Sequence, residues 1–244
     1  MTELSKANIL HTLRNLKNPQ VMLSATEVNQ EVASQIPKEW LSLLSLGEID
    51  FDKLQELWHP VGDNISTVME ELERTIQGLA ILIEDNQQPS LLYIFLGNEK
   101  LYYHRGFPPL KDDDIPREIA NIWGNLPLDF RDLYTIHNGW VSLHSKSMGH
   151  LPADKLSLLC WEEWSLEAEV IESTPINPEK TVIVFTNGGS GYLGFELSDL
   201  KGASEAKPLI WWSNKPSQPE LNIEFWSVFN TWISMDFADM DSVI

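Results

Sequence analysis

The chain has 244 residues, of which 43% are hydrophobic and 10% aromatic, a composition that excludes an intrinsically disordered protein. Its 36 acidic residues outnumber 17 basic ones and give a formal net charge of −19, which argues against direct binding to nucleic acid because phosphate contacts need a basic face. A single cysteine, Cys160, excludes an internal disulfide, and its apolar neighbours predict a buried, inert thiol.

The first part of the chain is predicted to be helical. Apolar residues spaced by three and four predict helices over residues 3 to 17, 28 to 46, 51 to 58 and about 65 to 76. At the last of these helices we expect Asp63 and Asn64 to cap the start and Gly78 to mark the end.

The apolar spacing then changes to that of β-strands. Three strands joined by polar turns are predicted over residues 79 to 83, 91 to 96 and 100 to 103. The stretch PPLKDDD at 108 to 114 is the best candidate for a boundary. We therefore divide the chain into a helical and hairpin region, residues 1–110, and a main domain, residues 111–244. The first region either belongs to the same domain or forms its own.

Beyond this boundary helices and strands alternate. The predicted helices run from Pro116 to Trp123, from Pro127 to Asn138, over residues 161 to 171 and over residues 222 to 234. Asn138 and Gly139 supply the left-handed residue that ends the second of them. A strand is predicted from residue 208, and the acidic tail after residue 235 is expected to be loose.

Residues 181–200, TVIVFTNGGSGYLGFELSDL, place Gly189, Gly191 and Gly194 in the pattern G-x-G-x-x-G of dinucleotide-binding turns. Such a turn holds a pyrophosphate at the start of a helix, but here strand-favouring residues follow the glycines. We therefore predict a β-hairpin with its turn at residues 187 to 191, and no nucleotide site.

Three segments, in this order and spacing, resemble the hallmarks of the SUKH superfamily, the Smi/Knr-like proteins. LPLDFRDLYTIHNGW at 126–140 is similar to the family's L-P-x-(D/E)-(Y/F) helix that ends in N-G. The glycine-rich hairpin and the closing helix EFWSVFNTWI are similar to the other two hallmarks. The residues that fill the first motif are Leu126, Pro127, Asp129, Phe130, Leu133, Asn138 and Gly139. The resemblance covers about residues 110 to 235.

The resemblance implies an α+β fold with helices packed on a mostly antiparallel sheet. It also implies a binding function, since many bacterial members look like immunity proteins that neutralise a toxin. We expect such a protein here, acting on a basic polymorphic toxin domain and contacting neither nucleic acid nor membrane. The first 18 residues lack the apolar core of a signal peptide, so we expect it in the cytoplasm. Two alternatives stay open: a regulatory scaffold of the fungal type that binds a signalling protein, and an enzyme of unknown class.

Few residues suggest chemistry. His137, His144 and His150 are close in sequence, but their spacings of seven and six fit no usual zinc pattern. Ser190 stands between glycines, yet Tyr192 breaks the nucleophile pattern G-x-S-x-G. A solvated helix face explains the acidic cluster formed by Glu162, Glu163, Glu167 and Glu169. We predict no catalytic residue, no metal site and no cofactor.

Ten tryptophans favour a protein-binding surface, because Trp is enriched at interface hot spots and nearby carboxylates would attract a basic partner. A large ring directly after the Asn138-Gly139 turn is hard to bury completely, and neighbouring residues on a strand point to opposite faces. The predicted partner-binding residues are Trp140, one of the pair Trp211 and Trp212, and the carboxylates Asp112, Asp113 and Asp114. The alternative is that Trp140 covers the edge of the core and that the aspartates stabilise a helix start.

Overall fold

The computed structural model describes residues 4–85, 87–97, 100–161, 173–197 and 206–242. It is a mixed α+β fold in which helices pack on antiparallel sheets. The α-helices are α1 (Lys6–Thr12), α2 (Gln30–Ala33), α3 (Lys38–Leu41), α4 (Phe51–Trp58), α5 (Ser66–Thr75), α6 (Ala120–Trp123), α7 (Leu128–Asp132) and α8 (Phe225–Ser242). The strands are β1 (Gln20–Met22), β2 (Ser45–Leu46), β3 (Ile76–Ile83), β4 (Ser90–Gly97), β5 (Lys100–Gly106), β6 (Trp140–Ser142), β7 (Gly149–His150), β8 (Ser157–Leu158), β9 (Thr181–Thr186), β10 (Gly191–Leu197), β11 (Ala206–Trp212) and β12 (Glu220–Leu221).

These strands form two sheets of six, and each described pairing is antiparallel. In the first sheet β3, β4 and β5 are neighbours, β1 and β2 share the outer edge of β3, and β6 lies beside β5. In the second sheet β9, β10 and β11 are neighbours, with β12 beside β11 and with β7 and β8 sharing the edge of β9. Because β6 follows the PPLKDDD stretch, the first sheet contains strands from both sides of it.

A continuous core lies against one face of each sheet, which we call the inner face. On β4 the ring of Tyr93 points to this face and the side chain of Ile94 to the other, as the pleat of a strand requires. Helices α3, α4, α5, α7 and α8 contribute to the inner core. On the outer faces, Ile9 of α1 packs on the first sheet, and Leu159 and Ile176 pack on the second.

Strands β9 and β10 form the predicted hairpin, and β10 rather than a helix begins at Gly191. The side-chain oxygen of Asn187 accepts hydrogen bonds from the backbone N–H groups of Gly189 and Gly191, each at 3.0 Å, which closes the turn. Gly194 lies at a shift in the strand register, where an added Cβ would stand 2.3 Å from the carbonyl oxygen of Val182. The glycine pattern therefore serves turn closure and close backbone approach.

The start of α5 differs from the prediction. Ile65 is the N-cap residue in place of Asp63 or Asn64, and its side chain offers no hydrogen bond. The acceptor comes from α8 instead: Oδ1 of Asn230 accepts from the backbone N–H of Val68 at 3.3 Å. Nδ2 of Asn230 also donates to the carbonyl oxygen of Asn64 at 2.7 Å. A residue near the far end of the chain thus performs the capping that we expected from local side chains.

Two further predictions about helix limits are wrong. Gly78 does not end α5, which stops at Thr75; it lies inside β3, where an added Cβ would stand 2.9 Å from Cδ1 of Leu46. The single helical region predicted over residues 28 to 46 is divided, because Pro37 has an extended ψ of 138° between α2 and α3. Its last residues form β2 on the edge of β3.

The last helix is shifted relative to its prediction. It begins at Phe225, because Asn222 has a φ of 57°, which lies outside the helical region. It continues to Ser242, so the tail expected to be loose is helical over most of its length. Phe237, in that tail, is fully buried, and its ring packs 5.0 Å from the ring of Phe95 on β4. Apolar contact with the first sheet explains why the helix extends.

Candidate functional site

Two of the predicted partner-binding tryptophans are buried. Trp140 has no exposed area, and its ring centroid lies 5.1 Å from that of Trp58 and 4.6 Å from that of His104. Gly139 adopts a φ of +88°, which turns the chain so that β6 pairs with β5 and the ring enters the core. Trp211 is 1% exposed and packs on the outer face of the second sheet. The prediction that Trp140 contacts a partner is therefore wrong, and its alternative, a ring that belongs to the core, is correct. Of the pair Trp211 and Trp212, only Trp212 reaches the surface.

The remaining predicted residues reach the surface. Trp212 is half-buried, and its Nε1 donates to Oε1 of Glu220 at 2.8 Å. The three aspartates are exposed and form one turn of 3₁₀-helix, Asp112–Asp114. Asp114 lines a cleft of about 510 Å³, and Trp212 is not among the residues around it. The structure therefore does not unite Trp212 and the aspartates in this cleft.

The three histidines occupy different environments. His137 and His150 are buried, while His144 is exposed. Over the described ranges, no three His, Cys, Asp or Glu side chains gather as a metal site would require. Ser190 belongs to the hairpin turn, and its carbonyl oxygen accepts the backbone N–H of Ser213 at 2.8 Å. This hydrogen bond joins the hairpin turn to the end of β11 and gives Ser190 a structural role.

Cys160 is half-buried, not fully buried as predicted. Burial and the nearby carboxylate of Glu179 raise the pKa of its thiol above the ordinary value, which keeps the thiol protonated and unreactive at neutral pH. The neighbouring acidic cluster lies outside the described residues, as does the predicted helix after Trp161. The members of this cluster are Glu162, Glu163, Glu167 and Glu169.

A chain of hydrogen bonds crosses the inner core behind α7. Nε1 of Trp58 donates to the hydroxyl oxygen of Tyr93 at 3.1 Å, and that hydroxyl lies 2.7 Å from Nε2 of His137. Nδ1 of His137 lies 3.1 Å from the carbonyl oxygen of Phe107, which can only accept. Nδ1 therefore carries the proton and Nε2 accepts a hydrogen bond from the tyrosine hydroxyl. With a neutral imidazole, the ring nitrogens of Trp58 and His137 and the hydroxyl of Tyr93 each have a hydrogen-bond partner.

Burial keeps two histidines uncharged. Loss of hydration lowers the pKa of His137 to about 3 and the pKa of His150 to about 4. Nε2 of His150 donates to the carbonyl oxygen of His137 at 2.9 Å, which links the two rings' positions. Both imidazoles are neutral at physiological pH, and their contacts give them a role in packing.

The residues of the SUKH-like motif connect segments of the fold. The carboxylate of Asp129 accepts a hydrogen bond from Nε1 of Trp226 at 2.6 Å, which ties α7 to α8. The side-chain oxygen of Asn138 accepts from the backbone N–H of Ala153 at 2.8 Å and fixes the loop before β8. The ring of Phe130 is fully buried between the two helices and β10. Each of these contacts supports structure.

A surface that the sequence analysis missed lies around α4. One cleft of about 430 Å³ separates α4 from α3, and its lining includes the half-buried Leu57 and Pro37 beside Trp40 and Leu43, which are themselves buried. A second cleft of about 310 Å³ separates α4 from α5 and is lined by Trp58 and Met69 among others. We call these two clefts and the helix between them the α4 surface.

Carboxylates dominate the rim of the α4 surface. Four of them are exposed and line its clefts: Glu39, Glu56, Glu70 and Glu73. Lys53 is the cation among the lining residues, and it already pairs with Asp50, at 2.6 Å. Apolar lining within a charged, exposed rim is the usual anatomy of a protein-binding interface.

The sequence did contain a signal for this surface. Residues 48 to 74 hold eight acidic and two basic residues, a difference of six charges in 27 positions. Both cations are engaged inside the segment, Lys53 with Asp50 and Arg74 with Glu71 at 2.6 Å. The number of tryptophans is a poor guide to the surface, because Trp140 and Trp211 belong to the core. The local excess of acidic residues is the signal in the sequence that marks α4 and α5.

Comparison with protein-family models, with curated proteins and with solved structures gives no match for this chain. In the ranges that the structure describes, no helix combines the length and the apolar character needed to cross a membrane. The geometry of the α4 surface, apolar between acidic rims, suits the binding of a basic protein.

Proposed function

We propose that this protein is an immunity protein of the SUKH type that neutralises a basic toxin domain by stoichiometric binding. The observation that carries the proposal is the acidic α4 surface, where residues 48 to 74 hold six more acidic than basic residues. A toxin that acts on nucleic acid is basic where it contacts phosphates. Carboxylates presented on α4 and α5 match that surface in sign. The order and spacing of the three SUKH-like motifs support the family assignment.

The charge and the apolar clefts of the α4 surface contribute to binding in different ways. The negative charge acts over a distance of about a Debye length and speeds encounter with a basic partner. The apolar clefts act at contact, where buried side chains supply most of the affinity. Occupation of the toxin's nucleic-acid site by these carboxylates would exclude its substrate. We place this binding in the cytoplasm, where nucleic-acid targets lie.

We further propose that the protein acts without catalysis and without a cofactor. His137 and His150, whose pKa values are lowered by burial, are neutral and hydrogen-bonded inside the core. A general base needs contact with substrate at the surface of a pocket. Their burial therefore supports a role in packing and favours binding as the function.

The proposal is tested by searching the genes beside that of this chain for a toxin domain and by co-expressing the chain with it. We expect relief of toxicity, co-purification in a fixed ratio, and an affinity that falls by about tenfold or more from low to high salt, because the steering is electrostatic. An unrelated acidic protein of similar net charge serves as the control and should give no relief. Failure to protect, with pull-downs that recover only housekeeping regulators, would replace this function by the scaffold alternative.

A further inference from the structure

We propose that the α4 surface is the docking site for a basic, amphipathic segment of the partner. An apolar side chain of that segment enters the cleft between α3 and α4, and its cations meet the carboxylates of α4 and α5. This inference rests on the proposed function, because it names the surface and the partner chemistry of the same binding event.

The cleft between α3 and α4 suits an apolar side chain. Its volume of about 430 Å³ falls within the range of roughly 300–1,000 Å³ that binding pockets span. Its accessible walls include Leu57 and three prolines, Pro37, Pro60 and Pro109. Proline fixes its own φ and leaves no N–H group to be desolvated. Such walls lose little conformational entropy when a partner binds, which favours affinity.

The cleft between α4 and α5 provides the charge. Glu70 and Glu73 are three residues apart, so they project from the same side of α5. Arg74, the cation of this helix, pairs with Glu71 on the same helix. Among the described residues, those that line this cleft include no cation. A lysine or arginine of the partner would therefore meet two carboxylates with no competing positive charge among the lining residues.

Other occupants fit these observations less well. A divalent cation needs several oxygen ligands around one point, and within the described residues no three acidic or imidazole side chains come together in that way. Nucleic acid is repelled by the same carboxylates. A polypeptide with both cations and an apolar anchor is the occupant that matches the apolar cleft and the acidic rim together.

The test uses a fluorescent helical peptide of about 20 residues with Lys at every fourth position and one Leu anchor, and a second peptide with Ser in place of that Leu. Binding to the full chain is measured by anisotropy. We expect the double variant Glu70→Lys with Glu73→Lys to bind the Leu peptide at least about tenfold more weakly than the wild type. The matched control is Glu118→Lys with Glu179→Lys, two exposed carboxylates that line neither cleft; it should lose much less.

The apolar part of the inference has its own variant. Leu57 is half-buried in the cleft wall, and we expect Leu57→Gln to weaken the Leu peptide several-fold while leaving the Ser peptide unchanged. Thermal unfolding confirms that each variant is folded; for a charge variant that is not, Glu70→Gln with Glu73→Gln takes its place. Equal losses in the two charge-reversed proteins, or equal losses for the two peptides, would overturn the docking site.

The docking site and the proposed function fail in distinguishable ways. If the double variant Glu70→Lys with Glu73→Lys protects cells from the toxin as well as the wild type does, the docking site is wrong and the proposed function stands. If the wild type binds the peptide as expected but protects against no toxin, the surface stands as a basic-segment site and the function is wrong.

Discussion

At the residue scale, Trp140 follows a turn where a ring could be exposed to a partner, but its side chain is fully buried in the core. Its ring lies between aromatic rings from four parts of the chain, with centroid distances of 4.6 to 6.4 Å. These neighbours are Trp58, Tyr93, His104 and Phe237. Edge-to-face and tilted contacts of this kind add to the burial of apolar area. Removal of the ring would leave a cavity that its rigid neighbours cannot fill.

We therefore expect Trp140→Ala to lower the free energy of unfolding by about 3–5 kcal/mol, measured by urea denaturation. Trp161 is 51% exposed, and Trp161→Ala is the control, with an expected change within about 0.5 kcal/mol. A Trp140→Ala protein as stable as the wild type would show that this ring does not hold the core together.

What the sequence predicted at this scale depended on local geometry. Gly139 was correctly assigned to a left-handed turn, because the Asn-Gly pair itself demands that conformation. For Trp140 the sequence left both an exposed ring and a core ring open, because its burial depends on β6 pairing with β5, more than 30 residues earlier. Likewise Trp211 and Trp212 were assigned to opposite faces, which is correct, but the cover over each face comes from distant segments.

At the element scale, periodic patterns were reliable and element ends were not. The strands β3, β4 and β5, the helices α4 and α5, and the β9–β10 hairpin lie where apolar spacing placed them. The start of α5 and the end of α8 depend on Asn230 and Phe237, whose partners lie elsewhere in the chain. Ends set by tertiary contacts leave no local signal.

The hairpin gives a direct test of why one glycine is required. We expect Gly194→Ala to destabilise the protein by about 1–3 kcal/mol, because the new Cβ would stand 2.3 Å from the carbonyl oxygen of Val182. Gly189→Ala is the matched control: its Cβ would meet only Oδ1 of Asn187, at 3.5 Å. Thermal unfolding of both variants measures the difference, and equal midpoints would show that β9 moves to accommodate the methyl group.

At the scale of the whole molecule, two uncharged histidines couple stability to pH. In the unfolded chain each histidine binds a proton below about pH 6.5, whereas in the folded protein the pKa of His137 is about 3 and that of His150 about 4. Between these values the unfolded state binds more protons, so stability falls as pH decreases. The window runs from about pH 6.5 down to about pH 4, mostly above the range in which carboxylates titrate.

We expect the free energy of unfolding to fall by about 1.4 kcal/mol per buried histidine between about pH 7.5 and pH 5.5, as measured by urea denaturation. His150→Gln should remove about half of this dependence. His144 is exposed, and His144→Gln should leave the dependence intact. The same unfolding free energy at both pH values in the wild type would show that the two imidazoles accept protons in the folded state.

The composition predicted the sign of the surface charge but not its location. The net charge of −19 shows that carboxylates outnumber cations on the surface, but not where they gather. Only the packing of α4 between α3 and α5 shows that carboxylates and apolar clefts occur together on one surface. The excess of acidic residues over positions 48 to 74 can be counted in the sequence, whereas the clefts beside them arise only from the packing of the helices.

The hydrogen bond between Asn230 and Val68 joins positions 162 residues apart. During synthesis on the ribosome, α5 can therefore gain this cap only after α8 has been translated. Strand β4, which carries Tyr93 and Phe95, is translated long before α8. Until α8 emerges, the first turn of α5 lacks its cap and Phe95 lacks the ring of Phe237. A nascent chain that ends at the β9–β10 hairpin lacks α8, so the apolar surface around Phe95 stays exposed. Exposed apolar surface of this kind is what chaperones recognise. Contacts that α8 supplies thus complete both the start of α5 and the core on β4.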